Sequence, residues 1–215
     1  MALRCAILTH MTYGQLLLDL EKSGYLKTER IIEAFRRTDR KDFVPEELAE
    51  EAYANTPLPI GWEQTISQPL TVAFMLEKLL AREGEKILDI GSGSGWQTAM
   101  LARIVGPKGS VYAVERIPEL REFGERNVAK SGLQNVWFFT ADGSKGLPEF
   151  APYDRIIAAA SADTFPDAWK SQVNIGGRIV APIGNAIWVF TRLGNDEWEE
   201  EEYPGFVFVP LVRES

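Results

Sequence analysis

The amino-acid sequence predicts an α/β fold: a doubly wound, mostly parallel sheet of seven strands, with an N-terminal helical cap and an antiparallel C-terminal strand. From Lys86 onward, short apolar runs alternate with helical stretches, a pattern typical of a parallel sheet with helices on both faces. A turn with glycine at every second position, Gly91, Gly93 and Gly95, follows the first run. Residues 12–55 instead carry apolar side chains at the spacing of one helical face.

The N-terminal part, residues 12–80, is expected to combine the helical cap with a functional loop. Ser23-Gly24 separates two apolar helical faces, which consist of Leu16, Leu17 and Leu20 and then of Ile31, Ile32 and Phe35. Another helix is expected to begin at Pro45, because proline is favoured in the first helical turn. Prolines and a glycine exclude a long helix over 56–69, which is too apolar for a simple solvent loop. A helix is then predicted over 70–80, with a buried face of Val72, Leu76, Leu79 and Leu80.

The C-terminal part, residues 81–215, is expected to form the sheet. Its strands are predicted at 86–90, 110–114, 135–140, 154–160, 177–183, 186–192 and 206–211. Gly176-Gly177 should precede the fifth strand, and Gly184-Asn185 should form a hairpin turn before the sixth. The acid-rich residues 196–202 are expected to be an exposed connection. Together, residues 1–215 are predicted to form one domain.

Composition restricts the partners of the chain. Its net charge is -8 and its pI is about 4.9, whereas a nucleic-acid-binding protein normally presents a basic face. The basic cluster Arg36-Arg37 with Arg40-Lys41 is expected to be a solvated helix end. No apolar stretch approaches the roughly 20 residues that span a bilayer, and Met1 to Thr9 is too short for a secretory signal. We therefore expect a cytoplasmic monomer that binds neither nucleic acid nor membranes.

The chain has too few cysteine and histidine residues for an intrachain disulfide or for a typical metal site. The chain has one Cys and one His, so an intrachain disulfide is impossible and a metal site is not expected. Cys5 and His10 lie outside every motif, and we expect both to be inert.

The glycine turn is the predicted core of a ligand site. A nicotinamide or flavin fingerprint spaces its glycines to seat a pyrophosphate, whereas Gly91, Gly93 and Gly95 are evenly spaced and Asp89 precedes them. An acid there favours a positively charged ligand, since it attracts cations and accepts hydrogen bonds from an ammonium group. S-adenosylmethionine carries a sulfonium and an ammonium and no phosphate. The pattern resembles the first motif of the class I S-adenosylmethionine-dependent methyltransferases, which have a Rossmann-like core.

Two further acids follow the next two strands. Glu115 comes about 20 residues after Gly95, where an acid accepts from ribose hydroxyls. Asp142 follows the third strand, where it could accept from the adenine amino group while Gly143 lets the ring approach. Each acid taken singly is more typical of a turn or a helix cap. Three acids at the carboxyl ends of successive strands, however, would converge on one crevice and one ligand.

The whole chain resembles the protein-L-isoaspartate O-methyltransferase family, from about Tyr13 to Leu211. The resemblance rests on Asp42-Phe43-Val44-Pro45, Pro57-Leu58-Pro59-Ile60-Gly61, Gln64-Thr65-Ile66-Ser67-Gln68-Pro69, the glycine turn, Asp142-Gly143 and Phe208-Val209-Pro210-Leu211. It implies S-adenosylmethionine as cofactor and isoaspartyl proteins and peptides as partners. It also implies methyl esterification of the free α-carboxylate of isoaspartate, which initiates repair through a succinimide.

The resemblance also implies roles for the residues of the loop. Ser67 would be the catalytic residue that orients the substrate carboxylate beside the methyl group, and Thr65 would also bind the substrate. Gln64, Thr65, Ile66 and Ser67 would contact the cofactor, and Val209, Pro210 and Leu211 would border the peptide groove. Trp62-Glu63 departs from the family pattern of a small or aromatic residue followed by glycine, and Glu63 adds negative charge near an anionic substrate.

Some alternatives stay open on the sequence. From its position before Pro69, Ser67 is typical of a helix N-cap. N-methyltransferases usually place an Asn or Asp with prolines and an aromatic residue after the fourth strand, but this chain has Ala158 to Ala162 there, with no suitable side chain. A methyltransferase acting on a small carboxylate or hydroxyl is a rival function. A catalytically silent, cofactor-binding adaptor is another.

Overall fold

The N-terminal cap is built mainly from two helices. The computed structural model of the protein describes residues 11–212, so Cys5 and His10 lie outside it. The first helix, α1 (Tyr13–Lys22), begins at a capping box in which Gln15 N donates to Thr12 Oγ1 at 3.3 Å and Thr12 N donates to Gln15 Oε1 at 2.9 Å. The second, α2 (Glu29–Arg36), buries the predicted Ile31, Ile32 and Phe35. After it come two short 3-10 helices, Arg40–Phe43 and Glu46–Leu48. The helix expected from Pro45 is therefore a single short turn.

Residues 56–69 contain a small β-hairpin that the sequence did not predict. Strands β1 (Leu58–Gly61) and β2 (Gln64–Ile66) pair antiparallel. Trp62 and Glu63 form the turn with φ of 50° and 57°, a left-handed conformation that normally selects Asn-Gly. Helix α3 (Pro69–Leu79) follows, with proline at its start. Leu80, which was predicted to be buried, is 48% exposed because the helix ends there in a left-handed residue.

The main sheet has seven strands in the order β5-β4-β3-β6-β7-β8-β9. These are β3 (Lys86–Ile90), β4 (Ser110–Glu115), β5 (Val136–Thr140), β6 (Tyr153–Ala158), β7 (Val173–Ile183), β8 (Ala186–Arg192) and β9 (Trp198–Pro204). Pairings from β5 to β7 are parallel, and β8 pairs antiparallel with both β7 and β9. Helices α4 (Trp96–Val105), α5 (Pro118–Lys130) and α6 (Asp167–Gln172) connect the strands. The predicted fold class is confirmed.

The order of the strands determines where a ligand can bind. From β3 the chain moves to β4 and β5 on one side, and then crosses to β6 on the other side of β3. The connections that leave β3 and β6 therefore diverge and open a crevice at the carboxyl ends of these strands. The glycine turn lies at this end.

The last part of the sheet differs from the prediction. Strand β7 begins at Val173, so Gly176-Gly177 lies within it, while the hairpin turn at Gly184-Asn185 is confirmed. The acid-rich stretch is not a connection, since β9 covers most of it. An edge strand tolerates such charge because most of its side chains reach water, and the charge prevents pairing with other sheets. Residues 206–211 do not form a strand and make a single bridge, between Pro210 and Ser161.

The apolar core joins the cap to the sheet. One cluster contains Leu16 and Leu20 of α1 together with Ile87 of β3 and Val111 of β4. Arg40 lies beneath the cap with no exposed surface, so its prediction as part of a solvated helix end is wrong. In the described part of the chain, no helix combines the length and apolar character needed to cross a bilayer.

Candidate active site

The glycine turn connects β3 to α4 in a conformation that requires glycine. Gly91, Gly93 and Gly95 have φ of 78°, 52° and 84°, a region that residues with a Cβ atom rarely adopt. Gly91 N and Ser92 N both donate to Val114 O, at 2.8 and 3.1 Å. These bonds fix the turn against the end of β4.

Gly95 serves helix packing. A Cβ atom added at Gly95 would lie 2.7 Å from Gly124 O, and one added at Gly124 would lie 2.5 Å from Gly93 O. The pair therefore lets α5 pack directly against the turn. Gly95 is buried and does not line the cavity described below, and its predicted contact with a cofactor stays a prediction.

Glu115 ends β4 and lines the crevice. Its side chain is 8% exposed, and each oxygen accepts one backbone hydrogen bond: Oε2 from Gly93 N at 3.1 Å and Oε1 from Ile117 N at 3.1 Å. A carboxylate has about four acceptor sites, so both oxygens can still accept from a ligand hydroxyl. The two N–H groups hold the carboxylate in place for that purpose.

Asp142 and Gly143 follow β5. Asp142 Oδ1 accepts from Ser144 N at 2.9 Å and from Ser144 Oγ at 2.7 Å, and Oδ2 lies 3.5 Å from Lys145 Nζ. The residue thus caps the 3-10 helix Gly143–Lys145, as an acid in this position commonly does. Gly143 lines the crevice, and a Cβ atom there would lie 2.5 Å from Ile90 Cγ2.

Asp89 lies beneath the turn. Its carboxylate has no exposed surface and accepts hydrogen bonds from Gln97 Nε2 at 2.9 Å and from Thr98 Oγ1 at 2.6 Å. Burial raises its pKa to about 6, although the two hydrogen bonds oppose this shift. Asp89 therefore anchors the first turn of α4. The structure does not bring it to the crevice, and its predicted contact with an ammonium group stays a prediction.

The crevice contains a cavity of about 630 Å³. Of the residues predicted to bind cofactor or substrate, it is lined by Gln64, Thr65, Gly91, Gly93, Glu115, Gly143, Val209, Pro210 and Leu211. Ile66, Ser67, Asp89, Gly95 and Asp142 do not line it. The site thus combines the turn, the tips of β4 and β5, the β1–β2 hairpin and the C-terminal segment.

A second cavity, of about 680 Å³, adjoins the first through Thr65, Ala159 and Val209, which line both. Its other lining residues are Pro57, Ser67, Gln68, Thr71, Val207 and Phe208. Ser67 and Ile66 also line a smaller cavity of about 330 Å³ beside the glycine turn. Ser67 therefore lies between the turn and a groove with no ionisable side chain on its walls.

The alternative role of Ser67 as a helix N-cap is wrong. The N-cap of α3 is Gln68, whose side chain accepts no capping hydrogen bond from the backbone. Across the groove, the C-terminal segment is held by Ser161, whose N–H donates to Val209 O at 2.8 Å and whose carbonyl accepts from Leu211 N at 2.7 Å. These two bonds place Val209 at the boundary of the two cavities and Pro210 and Leu211 on the wall of the first.

Comparisons with known proteins agree with this arrangement. A family model described as Protein-L-isoaspartate(D-aspartate) O-methyltransferase matches residues 11–215. The chain belongs to this family. It is 47% identical over 188 residues to a protein-L-isoaspartate O-methyltransferase of Methanothrix thermoacetophila, with 86% of this chain and 89% of the relative covered. It is 41% identical over 201 residues to that of Methanopyrus kandleri, with 91% and 89% covered.

Solved structures show the same fold. One protein-L-isoaspartate O-methyltransferase superimposes with a TM-score of 0.82 at 30% identity, over 93% of this chain and 65% of that one. A Plasmodium falciparum structure assigned to the same enzyme, in complex with S-adenosyl-L-homocysteine, gives a TM-score of 0.85 at 22% identity and covers 95% and 100% of the two chains.

Several residues that line the first cavity were not predicted from the sequence. The first cavity is also lined by Ile60, Ile90, Val114, Arg116, Ile117, Leu120, Ala159 and Ala160. Most are ordinary core-type residues at strand ends, and nothing in a single sequence distinguishes them from packing residues. The exception is the run Ala158 to Ala162, whose lack of bulky side chains after β6 could have indicated a wall that a ligand approaches.

The site contains no grouped metal ligands. Within residues 11–212, no three His, Cys, Asp or Glu side chains lie close enough together to hold an ion. The polar groups that face the first cavity are the Glu115 carboxylate, the amides of the turn, and the side chains of Gln64, Thr65 and Arg116. The cavity thus combines one carboxylate and one guanidinium with uncharged hydrogen-bonding groups, a set that suits a polar ligand with hydroxyl groups.

Proposed function

We propose that this enzyme esterifies the α-carboxylate of L-isoaspartyl residues in damaged proteins and peptides, with S-adenosylmethionine as methyl donor. The observation that carries the proposal is the pair of adjoining cavities: one that contains the Glu115 carboxylate, and an uncharged groove that contains Ser67 and no ionisable side chain. Thr65, Ala159 and Val209 form the boundary where methyl donor and acceptor would meet.

The first cavity fits the cofactor. Glu115 would hold the ribose hydroxyls, since both of its oxygens are fixed by backbone N–H groups and retain acceptor sites. Gly143 leaves room for the flat adenine ring between Ile117, Leu120 and Leu211. When bound, S-adenosylmethionine supplies an electrophilic methyl group on a sulfonium. Asp89 and Asp142 would act indirectly, by holding the polypeptide on either side of this cavity.

The acceptor needs orientation more than activation. A carboxylic acid with a pKa of about 4 is already ionised at neutral pH, so methylation of its oxygen requires no base. This agrees with a groove that lacks any ionisable side chain. The Ser67 hydroxyl would donate to one carboxylate oxygen and leave the other directed at the methyl group, an effect of positioning rather than of proton transfer. Val207 to Val209 and Pro57 would exclude water.

Esterification converts the isoaspartyl carboxylate into a better electrophile. The following backbone nitrogen of the substrate can attack the ester carbonyl, methanol leaves, and a succinimide forms. Hydrolysis of the succinimide then yields partly normal aspartate, so the reaction initiates repair. We further propose that the enzyme acts in the cytoplasm as a monomer and needs neither nucleic acid nor a membrane. Its acidic net charge argues against a nucleic-acid partner.

The test compares an isoaspartyl peptide with its normal aspartyl twin in a methanol vapour-diffusion assay, with a small dicarboxylic acid as a third acceptor. Methylation confined to the isoaspartyl peptide is expected. Equal labelling of both peptides, or labelling of the small acid alone, would replace the proposal with a less selective carboxyl methyltransferase. Cofactor binding without any labelling would indicate a silent adaptor.

A further inference from the structure

Arg40 is buried beneath the active-site loop, where, within the described part of the chain, its two terminal nitrogens donate only to backbone carbonyls and its Nε has no hydrogen-bond partner. Its Nη1 donates to Ala52 O at 2.9 Å and to Ala54 O at 3.1 Å. Its Nη2 donates to Thr56 O at 3.0 Å, to Ser67 O at 3.1 Å and, more weakly, to Ile66 O at 3.4 Å. One side chain therefore ties together the segment before β1 and the segment that carries Ser67.

Both segments belong to one side of the acceptor groove, opposite the C-terminal segment. Pro57, next to Thr56, and Ser67 both line that groove. The β1–β2 ladder ends at the pair Leu58 and Ile66, and just beyond it Nη2 joins Thr56 O to Ser67 O, so Arg40 fixes the backbone at Ser67 where the ladder no longer does. The Arg40 guanidinium also lies over the Trp96 ring, with its Cζ atom 5.4 Å from the ring centroid, and makes a cation–π contact there.

The charge of Arg40 has no carboxylate partner among residues 11–212. Burial lowers its pKa to about 10, so the guanidinium is still protonated at neutral pH. A buried cation without a counter-ion is costly, and here backbone dipoles alone solvate it. Because the guanidinium donates to the backbone carbonyl of Ser67, its positive charge also favours an anionic group in the groove beside that residue.

We propose that Arg40 is a positioning residue for the methyl acceptor: it sets the orientation of Ser67 in the groove, and its charge, which has no carboxylate partner, favours a carboxylate there. The inference rests on the proposed function. Arginine is required because only its planar fork presents donors to carbonyls on two segments at once, whereas the lysine ammonium is a compact point charge.

Arg40→Lys separates geometry from charge, because it keeps the charge and loses the fork. With an isoaspartyl peptide and saturating cofactor, kcat should fall at least about tenfold while the KM for the peptide stays within about threefold. Arg40→Gln removes the charge as well and should raise that KM further. The Kd for S-adenosyl-L-homocysteine, measured by calorimetry, should stay within about twofold for both, since Arg40 does not line the cofactor cavity.

Arg103→Lys is the matched control. Arg103 is a half-buried arginine of the same region, whose Nε donates to Thr38 Oγ1 at 3.0 Å, and it contacts neither wall of the groove. Its replacement should leave kcat, KM and Kd within about twofold of the unaltered enzyme. A loss of kcat equal to that of Arg40→Lys would assign both effects to general destabilisation and overturn the proposal.

Hydrogen exchange tests the inference without any methylation. In Arg40→Lys, the amides of residues 64–68 should exchange at least about tenfold faster, while those of β3 and β6 keep their protection. If the unaltered enzyme failed to methylate the isoaspartyl peptide, the proposed function would fail and this measurement would still decide the role of Arg40. The proposed role of Arg40 would be overturned if amide exchange became equally faster across the whole sheet, or if both amide exchange and kcat were unchanged. Should Arg40→Lys not fold, Arg40→Gln takes its place; failure of both to fold would assign Arg40 to the fold alone.

Discussion

Replacing Glu115 by glutamine should weaken cofactor binding without altering the chemical step. The carboxylate accepts from Gly93 N and Ile117 N, each at 3.1 Å, and lines the cofactor cavity. Glutamine keeps the size of the side chain but replaces one acceptor oxygen by an NH₂ group. That group faces a backbone N–H and cannot accept from a ribose hydroxyl. One hydrogen bond to a charged group is worth about 1.5 to 3 kcal/mol, so the Kd should rise roughly 10- to 150-fold.

Calorimetric titration with S-adenosyl-L-homocysteine measures this change directly. Glu119→Gln is the control, since Glu119 is an exposed acid at the start of α5 and lines no part of the cavity. At saturating cofactor, kcat of Glu115→Gln should stay within about twofold, because Glu115 does not border the groove of Ser67. A folded Glu115→Gln enzyme with an unaltered Kd would refute the ribose assignment. A fall in kcat with an unaltered Kd would place Glu115 in the chemical step instead.

Three further predictions concern the acceptor, the turn and pH. Ser67→Ala should lower kcat/KM at least about tenfold, a loss of about 1.4 kcal/mol, with the Kd for S-adenosyl-L-homocysteine unchanged; equal turnover would remove Ser67 from its role. Gly95→Ala should destabilise the fold by at least about 2 kcal/mol in urea unfolding, through its left-handed φ and the clash with Gly124 O, whereas Gly14→Ala, in open space on α1, should stabilise it by about 0.5 to 1 kcal/mol. Because burial raises the pKa of Asp89 from 3.8 to about 6, the folded state retains a proton that the unfolded state has released. Its contribution to stability should therefore fall as pH rises from about 4 to about 6, by about 3 kcal/mol, and Asp89→Asn should abolish this decline.

The glycine turn and the sheet were predictable because their signals are local. Each glycine of the turn needs a left-handed φ, and the central strands β3, β4 and β6 are mostly buried on both faces and read as short apolar runs. Strand β9 was missed for the opposite reason: it is an edge strand whose Glu199, Glu200 and Glu202 reach water, so its composition resembles that of a loop. It is a strand because it pairs with β8, and a pattern of residues within the segment itself does not reveal that pairing.

Counting acids after strands predicted where carboxylates would gather but not which way they would point. Glu115 faces the cavity, Asp142 caps a 3-10 helix, and Asp89 anchors α4 from below. All three lie at or near the carboxyl end of a strand, and a single sequence does not show which way each side chain points. Their directions depend on donors such as Gln97, Thr98 and Ser144, which come into reach only when the following helix packs.

The sequence by itself determined the fold class, the family and the loop that carries Ser67, because these depend on short-range patterns of glycine, proline and apolar residues. Tertiary structure alone decided that Arg40 is buried rather than solvated, since the five carbonyls that accept its hydrogen bonds come from residues up to Ser67 in the chain. A charged side chain can be buried where folding assembles enough acceptors to replace water, and that assembly is a property of the packed chain.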